Sequence, residues 1–369
     1  MAAFTYPSQL ATQRTKEEWI NHLAQSGMEL PLTRCDNHAP SIYFRVVYGF
    51  GISRSNQDRR SLAGQVSHEA NGNVRVKYSY DQEDFNIYHQ NFSHEVFRRK
   101  DLVCSEKFPY ENYDQLVRAG VPPSHMDKGL LSLSPNHPTP PGFYHPLTLQ
   151  ANFMPGGLLI CFSCHHKVLD GKSFTNFLEF FSGKRRLEMI PTLQLVREQA
   201  GTYSPANLAD DGDSEPPFFK ALTPAEAHVL TFGAAQVDEL YAYITPRVTA
   251  LQQENNVPLS PVSKHDLLCG LVWYYGIRRY GVLDCSSWID LGSDISFGMP
   301  GTPDRNGEGG NIDWCRKTYS ANDGSMNILP RHGRTRGNAN WEVLLALHTP
   351  LFNFLLQPTE LRHYILSCV

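Results

Sequence analysis

Residues 158–181 constrain the fold of this chain more than any other stretch. Leu158-Leu159-Ile160-Cys161-Phe162 is an unbroken apolar run of strand length, and Phe174, Phe177, Leu178 and Phe181 fall on one helical face. Between them stands His165-His166-Lys167-Val168-Leu169-Asp170-Gly171. The order is strand, turn, helix, with two imidazoles delivered to the turn. Asp170 follows His166 by four residues, and Gly171 permits a tight bend. An imidazole is the natural proton acceptor near neutral pH, and a nearby carboxylate fixes the geometry of its loop. His166 is therefore the candidate general base, with His165 a neighbour that shapes the loop. The plain alternative is a buried strand-end histidine satisfied by a backbone group, and the local sequence leaves both open.

The surrounding pattern is mixed α/β. Ser41 to Phe50 reads as a strand, and Asn71-Gly72-Asn73 is a hairpin turn before the alternating Val74-Arg75-Val76-Lys77-Tyr78. Residues 15–26 and 85–99 are expected to be helical. Leu147 to Phe153 forms a hairpin with the histidine-bearing strand through Pro155-Gly156-Gly157. Strands are also expected at His228–Phe232 and Trp341–Leu347. Two helices lie between them: one over 234–255, with Val237, Leu240, Tyr241, Ile244 and Val248 as its stripe, and one opened by Ser263 with Asp266 in a capping box. Sheets covered by helices follow from that order. Acidic, proline-rich sequence before residue 221 marks an exposed crossover. The expected division is 1–190, carrying the histidine loop, a crossover over 191–220, and 221–369.

Composition narrows the function. A net charge of -4 gives no electrostatic basis for nucleic-acid binding. Lys184-Arg185-Arg186 reads as a solvated helix end. No apolar stretch of roughly eighteen residues is present, so no membrane span is expected. The first fourteen residues lack the apolar core of a signal peptide. The expectation is a soluble, cytoplasmic protein without a disulfide framework. Cys161-Phe162-Ser163-Cys164-His165 matches the spacing of haem attachment and offers thiols for zinc. Strand alternation, however, points the two thiols to opposite faces, so no metal is expected. Gly171-Lys172-Ser173 lacks the earlier glycine of a phosphate loop, because His166 stands there. No signature of a serine or cysteine nucleophile is present. Arg331-His332-Gly333-Arg334-Thr335-Arg336 is read as an exposed basic hairpin.

Four landmarks, taken in order, resemble the His-x-x-x-Asp-Gly (BAHD) acyl-CoA-dependent acyltransferases, and within them the fungal branch typified by trichothecene 3-O-acetyltransferase. They are Leu62-Ala63-Gly64-Gln65-Val66, residues 150–171, Val262-Ser263-Lys264-His265-Asp266-Leu267-Leu268, and Ser286-Ser287-Trp288 with Asp294-Ile295-Ser296-Phe297-Gly298. The resemblance implies two chloramphenicol-acetyltransferase-like domains of mixed sheet covered by helices, with His166 in a channel between them. It implies a monomeric transferase that moves an acyl group, by default acetyl, from acyl-CoA to a hydroxyl of a small secondary metabolite. Acyl-CoA is then a co-substrate, and no tightly bound cofactor is implied. In the same likeness Asp170 and Gly171 shape the loop, Asp170 through an arginine, while Asp294 and Gly298 shape the domain interface.

The chain departs from that pattern in three places. Ser296 stands where the family has a glycine, and strain follows if that position takes a positive φ. The segment before Leu62 is short. Only twelve residues separate Trp273 from Ser286, fewer than the resemblance implies. The alternative beside the enzyme is thus an inactive, shortened remnant of the same family.

Overall fold

The computed structural model describes residues 18, 28–31, 42–51, 65–68, 74–78, 95–102, 105, 107–134, 143–182, 225–256, 261–280, 284–292, 295–297, 312–320, 324–331, 339–357 and 360–369. Outside them lie the expected crossover at 191–220, Asp294, Gly298, Lys184-Arg185-Arg186, the turn at 71–73 and most of the helix expected at 15–26.

Three sheets organise the described chain. The central one runs β11-β2-β8-β7-β5, built from β2 (Tyr43–Gly51), β5 (Phe97–Asp101), β7 (Leu147–Met154), β8 (Gly157–His165) and β11 (Trp314–Lys317). A second five-stranded sheet has the order β10-β12-β13-β9-β14. Its strands are β9 (Ala225–Phe232), β10 (Asp284–Ser287), β12 (Ser325–Ile328), β13 (Trp341–His348) and β14 (Ile365–Cys368). A small sheet joins β1 (Met28–Pro31), β4 (Val74–Tyr78), β3 (Gln65–His68) and β6 (Phe143–Tyr144).

The β7–β8 hairpin forms where the sequence places it. Its two-residue loop holds Gly156 at φ +77°, a conformation that favours glycine. The expected helix over 85–99 is corrected at its end. Phe97-Arg98-Arg99 lies in β5, where the aromatic packs on the core and the chain pairs parallel to β7. A parallel pair from distant sequence overrode the local helical spacing.

Side chains alternate strictly through the central sheet. Val46, Tyr48 and Phe50 of β2, with Leu158, Ile160, Phe162 and Cys164 of β8, enter one core. That core also holds Phe174 and Leu178 of helix α3 (Gly171–Phe181), and Ala227, Val229, Leu344 and Ala346 of the second sheet. The opposite face carries Val47, Leu159 and Cys161, covered by helices α1 (Tyr113–Arg118) and α2 (Lys128–Leu131). A third core fills the far side of the second sheet beneath α4 (Ala234–Glu254) and α5 (Lys264–Tyr280). Leu268 and Val272 of α5 are buried there, and Ser263 and Asp266 form the expected reciprocal capping box. On α4 the stripe is only half buried beyond Val237. Among the described residues no helix is long and apolar enough to cross a membrane.

The covered face is polar where the strands approach α2. Gln150 and Asn152, both fully buried, donate to the Leu130 and Leu131 carbonyls at 2.8 and 3.1 Å. They thereby satisfy acceptors that a short helix end leaves open. Arg98 Nε donates to Gln150 Oε1 at 2.8 Å. Arg45 donates to the Ser132 hydroxyl at 2.9 Å and the Ser134 carbonyl at 3.0 Å. Burial lowers the pKa of its guanidinium below the usual value.

β11 crosses from the C-terminal part of the sequence to complete the central sheet. Trp314 pairs with Gly49, and its indole occupies the space of the missing side chain, since a Cβ there would lie 2.0 Å from Trp314 Cε2. Arg316 on β11 forms a two-pronged ion pair with Glu342 on β13, at 2.7 and 3.0 Å, and donates to the Val121 and Gly120 carbonyls at 3.2 Å each. The clamp therefore joins both large sheets and the loop after α1. Arg316→Ala is expected to cost about 3 kcal/mol in chemical denaturation, because it strands Glu342 and the carbonyls of Gly120, Val121 and Cys315. Glu342→Gln should cost only about 1 kcal/mol, since Arg316 keeps its carbonyl acceptors.

Candidate active site

β8 is buried along its whole length and ends at His165. Strand alternation then separates the two imidazoles. His165, fully buried, meets the Tyr43 ring edge-on at 5.3 Å, on the face covered by α1 and α2. The Tyr43 hydroxyl donates to the His145 carbonyl at 2.6 Å, and the His145 ring lies 3.1 Å from Glu95. His166 meets Phe44 edge-on at 5.4 Å, and Phe44 in turn packs on Phe174. It therefore belongs to the face shared with α3 and the second sheet. Its backbone N–H donates to the Ile42 carbonyl at 2.8 Å, extending the β2–β8 ladder by one residue. Nδ1 of His166 is enclosed and has no hydrogen-bond partner among the described residues. The ring itself is half buried, so Nε2 is the nitrogen left for a ligand's proton.

The turn is closed locally. Val168 and Leu169 N–H groups donate to the His165 carbonyl at 2.9 and 3.0 Å. Asp170 is the N-cap of α3: its carboxylate accepts from Ser173 N–H at 2.7 Å. A carboxylate here satisfies an orphan donor and complements the helix dipole. Gly171 is the first helical residue, and its φ lies outside the left-handed region. The tight bend expected of it is thus absent, because the cap at Asp170 turns the chain. A Cβ at Gly171 would meet only Leu291, at an ordinary 3.8 Å.

Sequence from far downstream covers this loop. Trp288, Leu291 and Ile295 enter the core around Phe162 and α3. The Tyr48 hydroxyl donates to the Leu291 carbonyl at 3.3 Å. Phe297 packs against Phe50 at 5.5 Å and Phe181 at 6.0 Å. Ser296 is not among the described residues with positive φ, so the strain expected of it there does not arise. Residues 288–292 and 295–297, which overlap the fourth sequence landmark, reach the site through these aromatic and aliphatic contacts.

Other sequence candidates fall away from this cluster. Cys161 and Cys164 are fully buried in different cores, on opposite faces of β8. Burial pushes the Cys161 thiol up to about 12. Arg331, read as part of an exposed hairpin, is buried instead, with its guanidinium 4.3 Å over the Trp341 ring. Residues 332–338 lie outside the described residues.

The cap makes one measurable demand. Asp170→Ala should destabilise the protein by about 1 kcal/mol in a denaturant melt, while Asp170→Asn, which still accepts from the Ser173 N–H, should lose little.

No protein-family model matches the sequence. Over 198 residues it is 21% identical to the O-acyltransferase PigD of Monascus ruber, covering 48% of this chain and 42% of that one. The chain thus matches less than half the length of that relative. Among solved structures it is similar to F. graminearum TRI101 complexed with coenzyme A and T-2 mycotoxin, with a TM-score of 0.67 at 15% identity, over 92% of this chain and 99% of the other. F. sporotrichioides TRI101 with coenzyme A and T-2 gives 0.66 at 15% identity over the same shares. Vinorine synthase gives 0.50 at 15% identity, over 92% of this chain and 94% of its own. The chain therefore has a mixed α/β fold similar to that of TRI101 and of vinorine synthase.

Proposed function

We propose that this protein transfers an acyl group, with acetyl the default, from acyl-CoA to a hydroxyl of a small secondary metabolite. The observation that carries the proposal is the placement of His166. It stands at the end of a rigid central strand, on the face that meets α3 and the second sheet, with Nδ1 enclosed. The fold likeness to enzymes crystallised with coenzyme A and a toxin acceptor supports the substrate class.

In this reading His166 Nε2 accepts the acceptor's hydroxyl proton as the oxygen attacks the thioester carbonyl. The tetrahedral intermediate collapses by breaking the carbon–sulfur bond, and the departing CoA thiolate takes up the proton held by the imidazole. No covalent enzyme intermediate is needed. Asp170 acts on the loop and not on the substrate: its carboxylate is held by the helix N-terminus. Residues 1–190 and 221–369 serve as the two domains of the reading, with Asp294 and Gly298 at their interface. The β11 crossover makes neither half self-contained. The protein works as a monomer in the cytoplasm, without metal.

Release of CoA thiol from acetyl-CoA, followed with a chromogenic disulfide against a panel of hydroxylated acceptors, tests the proposal. His166→Ala should reduce kcat/KM by roughly 10²- to 10⁴-fold. Turnover that survives this substitution at the natural rate excludes the assigned base.

The second reading, an inactive remnant, is favoured by the short connection after α5, which among the described residues leaves β10 with β12 as its one neighbour in the sheet. A thermal melt with millimolar acetyl-CoA separates the two. A Tm raised by the ligand supports a working co-substrate site by linkage, whereas a transition that ignores acetyl-CoA supports the remnant.

A further inference from the structure

Far from His166 in sequence, two thiols meet at the edge of the second sheet. Cys269 lies on α5 and Cys285 on β10, and their Sγ atoms are 3.5 Å apart. Both are reduced. Cys285 is exposed, while Cys269 is half buried against the core beneath α5. His265, one helical turn before Cys269, places its ring nitrogens 3.8 and 3.9 Å from the Cys269 sulfur. Of the other described cysteines, Cys161, Cys164 and Cys315 are buried and Cys368 is half buried.

We propose that Cys269 and Cys285 form a reversible dithiol–disulfide site that oxidised low-molecular-weight disulfides close and thiols reopen. The sulfurs stand near van der Waals contact on two different elements, so rotation about the side-chain bonds brings them to bonding distance. Exposure selects Cys285 as the thiol that meets the oxidant. Its thiolate attacks oxidised glutathione, forming a mixed disulfide and releasing one glutathione thiolate. Cys269 then gives its proton to His265 and attacks the Cys285 sulfur. That step forms the protein disulfide and releases the second glutathione. Two electrons pass from the protein to glutathione disulfide, and two protons leave the cysteines. Before oxidation Cys269 holds its proton, because its contact with the Cys285 sulfur and then burial both raise its pKa. It is therefore the resolving partner and not the first nucleophile.

The position gives the bond a mechanical consequence. β10 is an edge strand of four residues that runs directly into Trp288 and Leu291. A disulfide would clip that strand to α5, three residues before the segment that covers α3.

The test uses the full chain equilibrated with oxidised and reduced glutathione at several ratios, quenched by alkylation and digested with trypsin. Cleavage after Arg278 and Arg279 puts the two cysteines on separate peptides. The expected result is a single linked pair, lighter by two hydrogens than the sum of the free peptides, that grows with the oxidised fraction and vanishes with dithiothreitol. In Cys269→Ser, glutathione should remain trapped on Cys285. Alkylation of both thiols in the natural chain under excess oxidised glutathione overturns the assignment. So does a glutathione adduct that persists on its Cys285. The mapping on the natural chain decides the matter even if a serine variant fails to fold.

Discussion

Strand β8 sits between β2 and β7 in an uninterrupted ladder, and its register is the constraint on which the site depends. Nine consecutive pairs, from Tyr43–His165 to Gly51–Gly157, fix it on one side, and the short turn at Pro155-Gly156 fixes it on the other. Because side chains alternate, that register sends Phe162 and Cys164 to the core shared with the second sheet. It sends Leu159, Cys161 and His165 the other way. A slip by one residue would exchange the two sets and set the serine and cysteine positions against α3.

The two faces of the central sheet solve different problems. One is almost purely apolar and binds the sheet to α3, to the second sheet and to residues 288–297. The other mixes aliphatic cover with Arg45, Arg98, Gln150, Asn152 and Ser163. Their hydrogen bonds close on one another and on the end of α2. A satisfied buried network of this kind fixes geometry, whereas a half-satisfied one would cost more than an apolar surface. The histidine loop inherits that rigidity from behind, and the side facing its prospective ligands is left to shape alone.

What could be read in the sequence was what local physics determines. The β7–β8 hairpin announced itself by a turn between two strand-like runs, and the capping box at Ser263 and Asp266 by its spacing. The opposite orientation of Cys161 and Cys164 followed from a period of two. His166 stands out as a candidate because a strand, a doublet and a helix adjoin in sequence. The parallel partners β5–β7 and β10–β12 carried no such signal, since nothing near Phe97 or Asp284 specifies a neighbour so distant. Arg331 looked like a surface turn because its partner, Trp341, is supplied by the next strand. The cap at Asp170 was hidden behind the adjacent glycine. The meeting of Cys269 with Cys285 depends on how α5 lies across the edge of a sheet, which no periodicity encodes.

The passage of β11 into the central sheet also sets an order of assembly. Until Trp314 emerges, β2 has an open edge, and the indole that fills the space over Gly49 is missing. Most of the chain must leave the ribosome before the sheet carrying the histidines is whole. Its contacts are among the most distant in sequence, so closure is slow and the waiting edge is exposed to wrong partners. Such a chain gains from a chaperone that shields its first half, and a truncated transcript would yield an unfinished sheet rather than a smaller enzyme.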